Sequence, residues 1–310
     1  YVSCIAVDWQ GWRAISGSSD RTLMLWDLES AACVGQLWGH DDWILCLAVD
    51  WDSHYALSGS RDKTLRFWDL DRLINPHVLQ GHSDYVLCVA VDWSSKRAIS
   101  GSRDRTLMVW DLEIFACIVT VWGHDDVVGR VEVDWDSRRV LSSSHVRTLK
   151  LWNLPTTDAT DGIENPGLVE YLRGHARIGI VDRLRGHEDA VMCVAVDWRA
   201  RRAFSGARDG SLRLWDLENM ICLKVLSVPG SGVVLGVAVD FSACRALSGS
   251  KDGTLRLWDL DNGTCTAELH GHEAGVRCVA VDTTRLACER QCEAQIGRAS
   301  MTLETPAAKK

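Results

Sequence analysis

The sequence predicts an all-β protein in which one unit of four short antiparallel strands is repeated along the chain. Two observations carry this prediction. A pattern of strand, tight turn and strand at residues 57–69 returns in similar form at residues 15–27, 99–111, 141–153, 204–216 and 247–259. One aspartate also marks each unit, mostly 42 or 43 residues after the last: Asp8, Asp50, Asp92, Asp134, Asp197, Asp240 and Asp282. Such self-similarity is the signature of a repeat architecture.

The second unit shows why each element is a strand. Residues 43–49 are almost all apolar, as in a strand buried on both faces. Leu65 and Phe67 alternate with Arg66, which is the period of a half-buried strand. The predicted strands of this unit are residues 43–49, 55–60, 64–68 and a short outer strand at Val78. One such sheet cannot bury both faces alone, so we expect the units to stack.

The fourth unit departs from the pattern. Val146 replaces the aspartate of the turn, and Asn153 replaces the final aspartate. A polar run follows, so we predict a loop insert of residues 155–185, with Leu168 in the outer strand. The spacing to Asp197 makes His187, and not His175, the histidine of the next unit.

Composition excludes several classes of function. The net charge of −8 and pI near 5.7 argue against a general nucleic-acid-binding surface. No apolar run is long enough to span a membrane, so we expect no membrane association. Most of the 12 cysteines recur at fixed strand positions without a CxxC pair. Buried reduced thiols explain this better than metal or disulfide use, and they indicate an intracellular protein, cytoplasmic or nuclear.

Two short motifs recur in fixed places. The third strand ends in Trp-Asp, as at Trp68-Asp69, and a Gly-His pair such as Gly39-His40 precedes most units. This repeat resembles that of the WD40 family of β-propellers. Over about residues 1–282 the resemblance implies a WD40 β-propeller with a seven-bladed layout, six full units and an incomplete seventh blade. Residues 283–310 are expected to be a divergent, poorly ordered tail or a remnant of blade 7.

The resemblance also implies a hydrogen-bonded tetrad in each complete blade, formed by the histidine of Gly-His, a strand serine, the turn aspartate and the tryptophan. Buried polar groups must be paired, and a neutral imidazole can donate to a carboxylate while it accepts from a hydroxyl. The implied tetrads are His40, Ser58, Asp62 and Trp68; His82, Ser100, Asp104 and Trp110; and His187, Ser205, Asp209 and Trp215. Blade 4 lacks the aspartate, and blade 6 has Pro229-Gly230 in place of Gly-His.

A set of serine, histidine and aspartate invites a hydrolase interpretation, which we reject. The set recurs in three blades, whereas a catalytic site would occur once, and no nucleophile elbow accompanies it. No P-loop, HExxH or GxGxxG motif is present either. We therefore predict no catalytic residue, no metal site and no cofactor.

A tryptophan follows most of the repeat aspartates, at Trp9, Trp51, Trp93, Trp135 and Trp198, with Phe241 in the sixth unit. These rings either cap the edge of each blade or form an aromatic face for a ligand. Capping is the simpler interpretation, because a position repeated in every unit serves the unit.

Positions that vary on one face of the propeller are the candidates for partner binding. The predicted partner-binding rim consists of Tyr1, Trp43, Arg61, Tyr85, Arg103, Arg208 and Lys251. Aromatic and cationic residues together suit a protein segment with an apolar anchor and acidic or phosphorylated groups. The alternative is a solvated ring of long side chains without a partner.

These observations predict a non-catalytic scaffold that docks protein segments on one face of the propeller. The alternative is a sensor or regulatory module of a larger multidomain protein whose catalytic domain is absent from this fragment.

Overall fold

The protein is built from six antiparallel sheets of four strands. The computed structural model describes residues 1–154, 180–230, 232–277 and 279, which contain 24 strands. Consecutive strands are neighbours in every sheet, and each sheet is one blade. The blades lie in a compact unit, Tyr1–Val279, and a second unit, Ala280–Lys310, lies outside the described residues. The prediction of an all-β propeller is confirmed.

The strands of the first three blades follow the repeat of the sequence. Blade 1 consists of β1 (Val2–Asp8), β2 (Arg13–Ser18), β3 (Thr22–Asp27) and β4 (Ala32–Trp38). Blade 2 consists of β5 (Ile44–Asp50), β6 (Tyr55–Ser60), β7 (Leu65–Asp69) and β8 (Ile74–Leu79). Blade 3 consists of β9 (Val86–Asp92), β10 (Arg97–Ser102), β11 (Leu107–Asp111) and β12 (Ala116–Val121).

The next three blades have the same organisation. Blade 4 consists of β13 (Val128–Asp134), β14 (Arg139–Ser144), β15 (Thr148–Asn153) and β16 (Ile180–Arg185). Blade 5 consists of β17 (Val191–Asp197), β18 (Arg202–Ala207), β19 (Leu212–Asp216) and β20 (Ile221–Leu226). Blade 6 consists of β21 (Val234–Asp240), β22 (Arg245–Ser250), β23 (Leu255–Asp259) and β24 (Thr264–Leu269).

The predicted outer strand of blade 4 was wrong. It is not at Leu168, which lies outside the described residues, but at Ile180–Arg185, the last six residues of the predicted insert 155–185. Leu184 pairs with Leu149 of β15 and is buried. The outer strand of each blade must end next to the following Gly-His pair, and Leu184 lies two residues before Gly186, as Leu79 lies before Gly81.

The hydrophobic cores lie between consecutive blades. Five clusters in the described residues each join the later strands of one blade to the inner strands and tryptophan of the next. Leu65 and Leu79 of blade 2, for example, share a cluster with Trp110 of blade 3. A glycine in the second strand permits the close approach, since a Cβ on Gly59 would lie 2.7 Å from a methyl group of Val86. Stacking therefore supplies the buried surface that one blade lacks.

Only six complete blades are described, so a seventh is not confirmed. Val276 stands where the next inner strand would begin, and its amide donates to the Ser250 carbonyl at 2.9 Å. Val276 also packs on Gly249 of blade 6 as Val86 of blade 3 packs on Gly59 of blade 2. The rest of the predicted seventh blade and the tail 283–310 lie outside the described residues. Leu269 of blade 6 is 53 % exposed, whereas its equivalent in blade 2, Leu79, is buried.

The structure brings together the residues of each implied tetrad. In blade 2, Nδ1 of His40 lies 2.6 Å from Oδ2 of Asp62, and Nε2 lies 2.7 Å from Oγ of Ser58. Trp68 Nε1 donates to the same Ser58 hydroxyl at 2.7 Å. The corresponding atoms of the other two tetrads, in blades 3 and 5, are joined by distances of 2.7–3.3 Å.

Each turn aspartate also closes its own turn. Oδ1 of Asp62 accepts from the amide and the hydroxyl of Thr64, and Oδ2 accepts from the amide of Asp41. Burial opposes ionisation of Asp62, but the hydrogen bonds from His40 and Thr64 outweigh it and hold the pKa of this carboxyl well below its usual range. Burial also lowers the pKa of His40. The pair therefore favours a neutral imidazole that donates to a carboxylate.

Blade 4 carries an acidic residue where the other units have alanine. Glu132 of β13 occupies the position of Ala90 in β9. Burial raises the pKa of Glu132 to about 7, although the nearby Arg130 acts in the opposite direction. A carboxyl with a raised pKa in the folded state costs stability once the unfolded chain ionises.

Replacement of Asp62 by alanine should lower the free energy of unfolding by roughly 1–3 kcal/mol, because it leaves buried donors of His40 and Thr64 without an acceptor. Val146→Ala, at the equivalent position of blade 4, should cost clearly less. Thermal or denaturant unfolding of the two variants measures the difference. Equal losses would contradict the assignment of the tetrad.

Glu132→Gln should become more stable relative to the native chain as the pH rises from about 4.5 to 7. The unfolded carboxyl ionises near its ordinary value of 4.5 and the folded one only near 7, so the native chain loses stability across this interval. The gain above pH 7 should be on the order of 2–3 kcal/mol. Urea unfolding at several pH values tests this, with the exposed Glu113→Gln as control. A pH-independent difference would contradict it.

Candidate protein-docking rim

One backbone hydrogen bond, repeated in every described blade, positions the candidate rim. The amide of the residue before each turn aspartate donates to the carbonyl of the residue just before the inner strand. The bonded pairs are Ser19 with Tyr1, Arg61 with Trp43, Arg103 with Tyr85, His145 with Val127, Arg208 with Ala190 and Lys251 with Val233, at 2.8–3.2 Å. The predicted rim residues therefore occupy equivalent places at the same end of their blades.

In blades 2 and 3, four of these residues form an alternating stack of aromatic and arginine side chains. The Arg61 guanidinium lies 4.7 Å from the centre of the Trp43 ring and 4.6 Å from that of Tyr85. The Arg103 guanidinium lies 5.1 Å from the centre of the same Tyr85 ring. Arg61 also donates a hydrogen bond to the Tyr85 hydroxyl at 2.9 Å. Cation–π contacts of this length hold flat side chains in a fixed orientation. We call these four residues the aromatic–arginine stack.

Two aspartates border the aromatic–arginine stack, and the sequence analysis missed both. Asp42 Oδ2 lies 4.0 Å from Arg61 Nε, and Asp84 Oδ2 lies 3.8 Å from Arg103 Nε. The sequence feature that could have identified them is their position, because each directly precedes an aromatic residue of the rim, Trp43 or Tyr85. The ion pairs are long and partly exposed, so they are worth at most about 1 kcal/mol each.

The other predicted rim residues lie outside the aromatic–arginine stack. Tyr1 is 94 % exposed, and its backbone nitrogen donates to the Ser19 hydroxyl. Arg208 and Lys251 are exposed beside apolar partners, and neither has a cation–π contact in the described part of the chain. The structure thus concentrates the aromatic surface of the rim on blades 2 and 3.

The tryptophans that follow the repeat aspartates behave as caps. Trp51, Trp93, Trp135 and Trp198 are half-buried against the cores between blades. Trp93 lies 6.3 Å from the Phe67 ring of the preceding blade. Only Trp9, in the first blade, is largely exposed among them. Their packing favours a structural role over a ligand face.

Within the described ranges, no group of three or more His, Cys, Asp or Glu side chains is arranged to hold a metal ion. The nine cysteines in this part of the chain are free thiols, and Cys4, Cys46, Cys88 and Cys193 are buried. The described residues also contain no helix long and apolar enough to cross a membrane.

Comparison with known proteins agrees with the architecture. The family model described as "WD domain, G-beta repeat" matches residues 31–69, 75–111, 179–216 and 220–259. The chain is similar to eukaryotic translation initiation factor 3 subunit I of Xenopus laevis, with 44 % identity over 62 residues, or 20 % of this chain and 17 % of the relative. For the Xenopus tropicalis protein of the same name, identity is 58 % over 33 residues, or 11 % of this chain and 10 % of the relative. For the Drosophila grimshawi protein of the same name, identity is 40 % over 55 residues, or 18 % of this chain and 16 % of the relative.

These matches span less than a fifth of the length of the curated relatives. They therefore add little to the repeat itself. Four matched repeats, six four-stranded blades and the recurring Gly-His and Trp-Asp pairs agree with one another. The chain belongs to the WD40-repeat family.

Proposed function

We propose that this protein is a non-catalytic scaffold that docks a segment of a partner protein over the aromatic–arginine stack of blades 2 and 3. The single observation that carries this is the stack itself. Trp43 is 43 % exposed and packs against Arg61, so apolar surface is open to a partner and part of the entropic cost of ordering the ring is already met. Rigid aromatic and arginine side chains of this kind dominate the binding energy of protein interfaces.

The charges of the stack indicate the chemistry of the partner. Arg103 is exposed, and within the described residues the acidic partners of Arg61 and Arg103 are the carboxylates of Asp42 and Asp84, at 4.0 and 3.8 Å. A carboxylate or phosphate of a partner can form shorter, bidentate contacts with arginine. We propose an acidic or phosphorylated segment with one apolar anchor beside Trp43. The relatives carry the name of a subunit of a translation initiation factor, which is consistent with a role inside a protein assembly.

The layout of the domain and its place in the cell are part of the same proposal. A seventh blade that begins at Val276 would extend the propeller to residue 282 and cover the exposed Leu269. Free buried thiols support an intracellular location, cytoplasmic or nuclear.

The combined replacement of Trp43, Arg61, Tyr85 and Arg103 by alanine should abolish capture of the partner, because it removes the whole stack. The circular dichroism spectrum and melting temperature should change little, since these side chains lie at turns and strand starts outside the cores. Pull-down with a panel of acidic and phosphorylated peptides, each with and without a neighbouring tryptophan or leucine, provides the measurement.

The matched control for this variant is Arg208→Ala with Lys251→Ala, which removes cations from equivalent positions without aromatic neighbours. This control should retain binding. Capture that survives the fourfold replacement would contradict the proposal and would direct attention to the insert 155–185.

A further inference from the structure

Blade 4 contains a cationic cavity at the position of its missing turn aspartate. The cavity has a volume of about 340 Å³. Its lining includes seven side chains of blade 4, namely Asp125, Val146, Arg147, Thr148, Lys150, Arg183 and Arg185, together with Gly186 and His187 at the entry to blade 5. His124 lies behind this lining and is not part of it. Four of these seven side chains carry a positive charge and one carries a negative charge, in a protein whose net charge is −8.

Two buried donors at this position have no acceptor among the described residues. They are Nδ1 of His124 and Oγ1 of Thr148. In blade 2 the same two atoms, in His40 and Thr64, bond to the carboxylate of Asp62 at 2.6 Å. Val146 stands in place of that carboxylate and cannot accept a hydrogen bond.

Equivalence with blade 2 indicates which nitrogen of His124 carries the proton. Trp152 Nε1 donates to Ser142 Oγ at 2.7 Å, so the serine hydroxyl proton is available to His124 Nε2, 2.6 Å away. Burial lowers the pKa of His124 to about 3, and a neutral ring that accepts at Nε2 must carry its proton at Nδ1. In this tautomer His124 has a buried donor where blade 2 has its carboxylate, and an unsatisfied buried donor costs about 1–3 kcal/mol.

Lys150 adds a buried cation to the same place. It is 1 % exposed; its Nζ donates to the Gly123 carbonyl and lies 3.6 Å from Oδ2 of the exposed Asp125. Burial and the nearby charge of Arg183 lower the pKa of Lys150. A buried ammonium group with so little compensation would be stabilised by an anion.

Blade 6 shows that the chain can repair an incomplete tetrad from its own side chains. It lacks the histidine, and Arg256 takes its place: Nη2 donates to Oδ2 of the turn Asp252 at 3.0 Å, and Nε donates to Glu268 at 2.9 Å. Lys150 occupies the position of Arg256 in blade 4. There, however, it is the acceptor that is missing, and among the described residues none replaces it.

We propose that the cavity of blade 4 binds a carboxylate side chain of an acidic protein segment against Arg147, Thr148 and Lys150, beside the place that Asp62 holds in blade 2. The expected ligand is a carboxylate because the threonine hydroxyls equivalent to that of Thr148 donate to one in blades 2 and 3. This site is separate from the aromatic–arginine stack and does not depend on its function.

Binding of a fluorescein-labelled peptide of alternating glutamate and glycine, followed by fluorescence anisotropy, tests the proposal directly. The native chain should bind this peptide and not the version with glutamine in place of glutamate. Val146→Asp supplies the missing carboxylate from the chain itself and should abolish binding. Arg147→Ala should weaken binding about tenfold, the effect of one lost charge-assisted contact.

Arg105→Ala in blade 3 is the matched control for Arg147→Ala. Both arginines directly follow the turn position and have positive φ angles, 71° and 64°, so the two replacements disturb the backbone alike. Of these two arginines Arg147 lines the cavity and Arg105 does not, so the Arg105→Ala variant should bind the glutamate peptide as the native chain does. The fourfold variant of the aromatic–arginine stack should also retain binding of the glutamate peptide.

Three results would overturn the proposal. In the first, Val146→Asp and Arg147→Ala both bind the glutamate peptide as well as the native chain does. In the second, the fourfold stack variant loses binding while Val146→Asp and Arg147→Ala keep it. In the third, the native chain binds inorganic phosphate but not the glutamate peptide. The last result would leave an anion site but would exclude a carboxylate as its ligand.

Discussion

A carboxylate beneath the turn between the second and third strands is the interaction on which each blade with a complete tetrad depends. The Asp62 side chain bonds at once to the imidazole of His40, to the hydroxyl and amide of Thr64 and to the amide of Asp41. It thus ties the loop that enters the blade to the turn inside it. Through His40 and Ser58 the same network reaches the buried indole of Trp68.

This network connects the interior of a blade to the surface of the propeller. Trp68 belongs to the apolar core shared with blade 1, so the polar network fixes a ring on which stacking depends. The residue before each turn aspartate is held by a backbone bond to the start of the inner strand, and in blades 2 and 3 this residue is an arginine of the rim. The position of the docking surface is therefore set by the same turns that stabilise the blades.

Blade 4 is the blade that departs most from the repeat, and its departures lie close together. The lost aspartate at Val146, the buried Lys150 and the acidic Glu132 all fall within three consecutive strands and their turns. Each of them costs stability by the usual rules for buried polar groups. The fold can carry one such blade because the cores that blade 4 shares with blades 3 and 5 are still formed.

Much of the fold follows from sequence because one unit is written many times. The period, the inner three strands and the residues of the tetrads were all visible in the spacing of Asp, Gly-His and Trp-Asp. The outer strand of blade 4 was not, since an edge strand has a weaker apolar pattern and Leu184 is its one fully buried position among the residues with described side chains. The spacing of Leu184 to Gly186 would have located it.

The site was predictable only in part. The aromatic and arginine positions of the rim could be read from the repeat, but their stacking depends on side-chain orientation across two blades. The cavity of blade 4 depends on a pair of donors that lost their acceptor, and sequence spacing alone does not reveal whether another side chain replaces it. In blade 6 it is the histidine donor that is missing, and Arg256 replaces it, yet each of the two blades simply lacks one tetrad residue in the sequence.

The most direct test of the turn carboxylate is a double-mutant cycle for unfolding with His40→Ala and Asp62→Ala, compared with a matched cycle of His124→Ala and Val146→Ala. The imidazole and carboxylate of blade 2 should be coupled by about 1–2 kcal/mol. The cycle in blade 4, where the carboxylate is absent, should show additive effects. Additive effects in blade 2, or equal coupling in both blades, would contradict the claim that the carboxylate organises the blade.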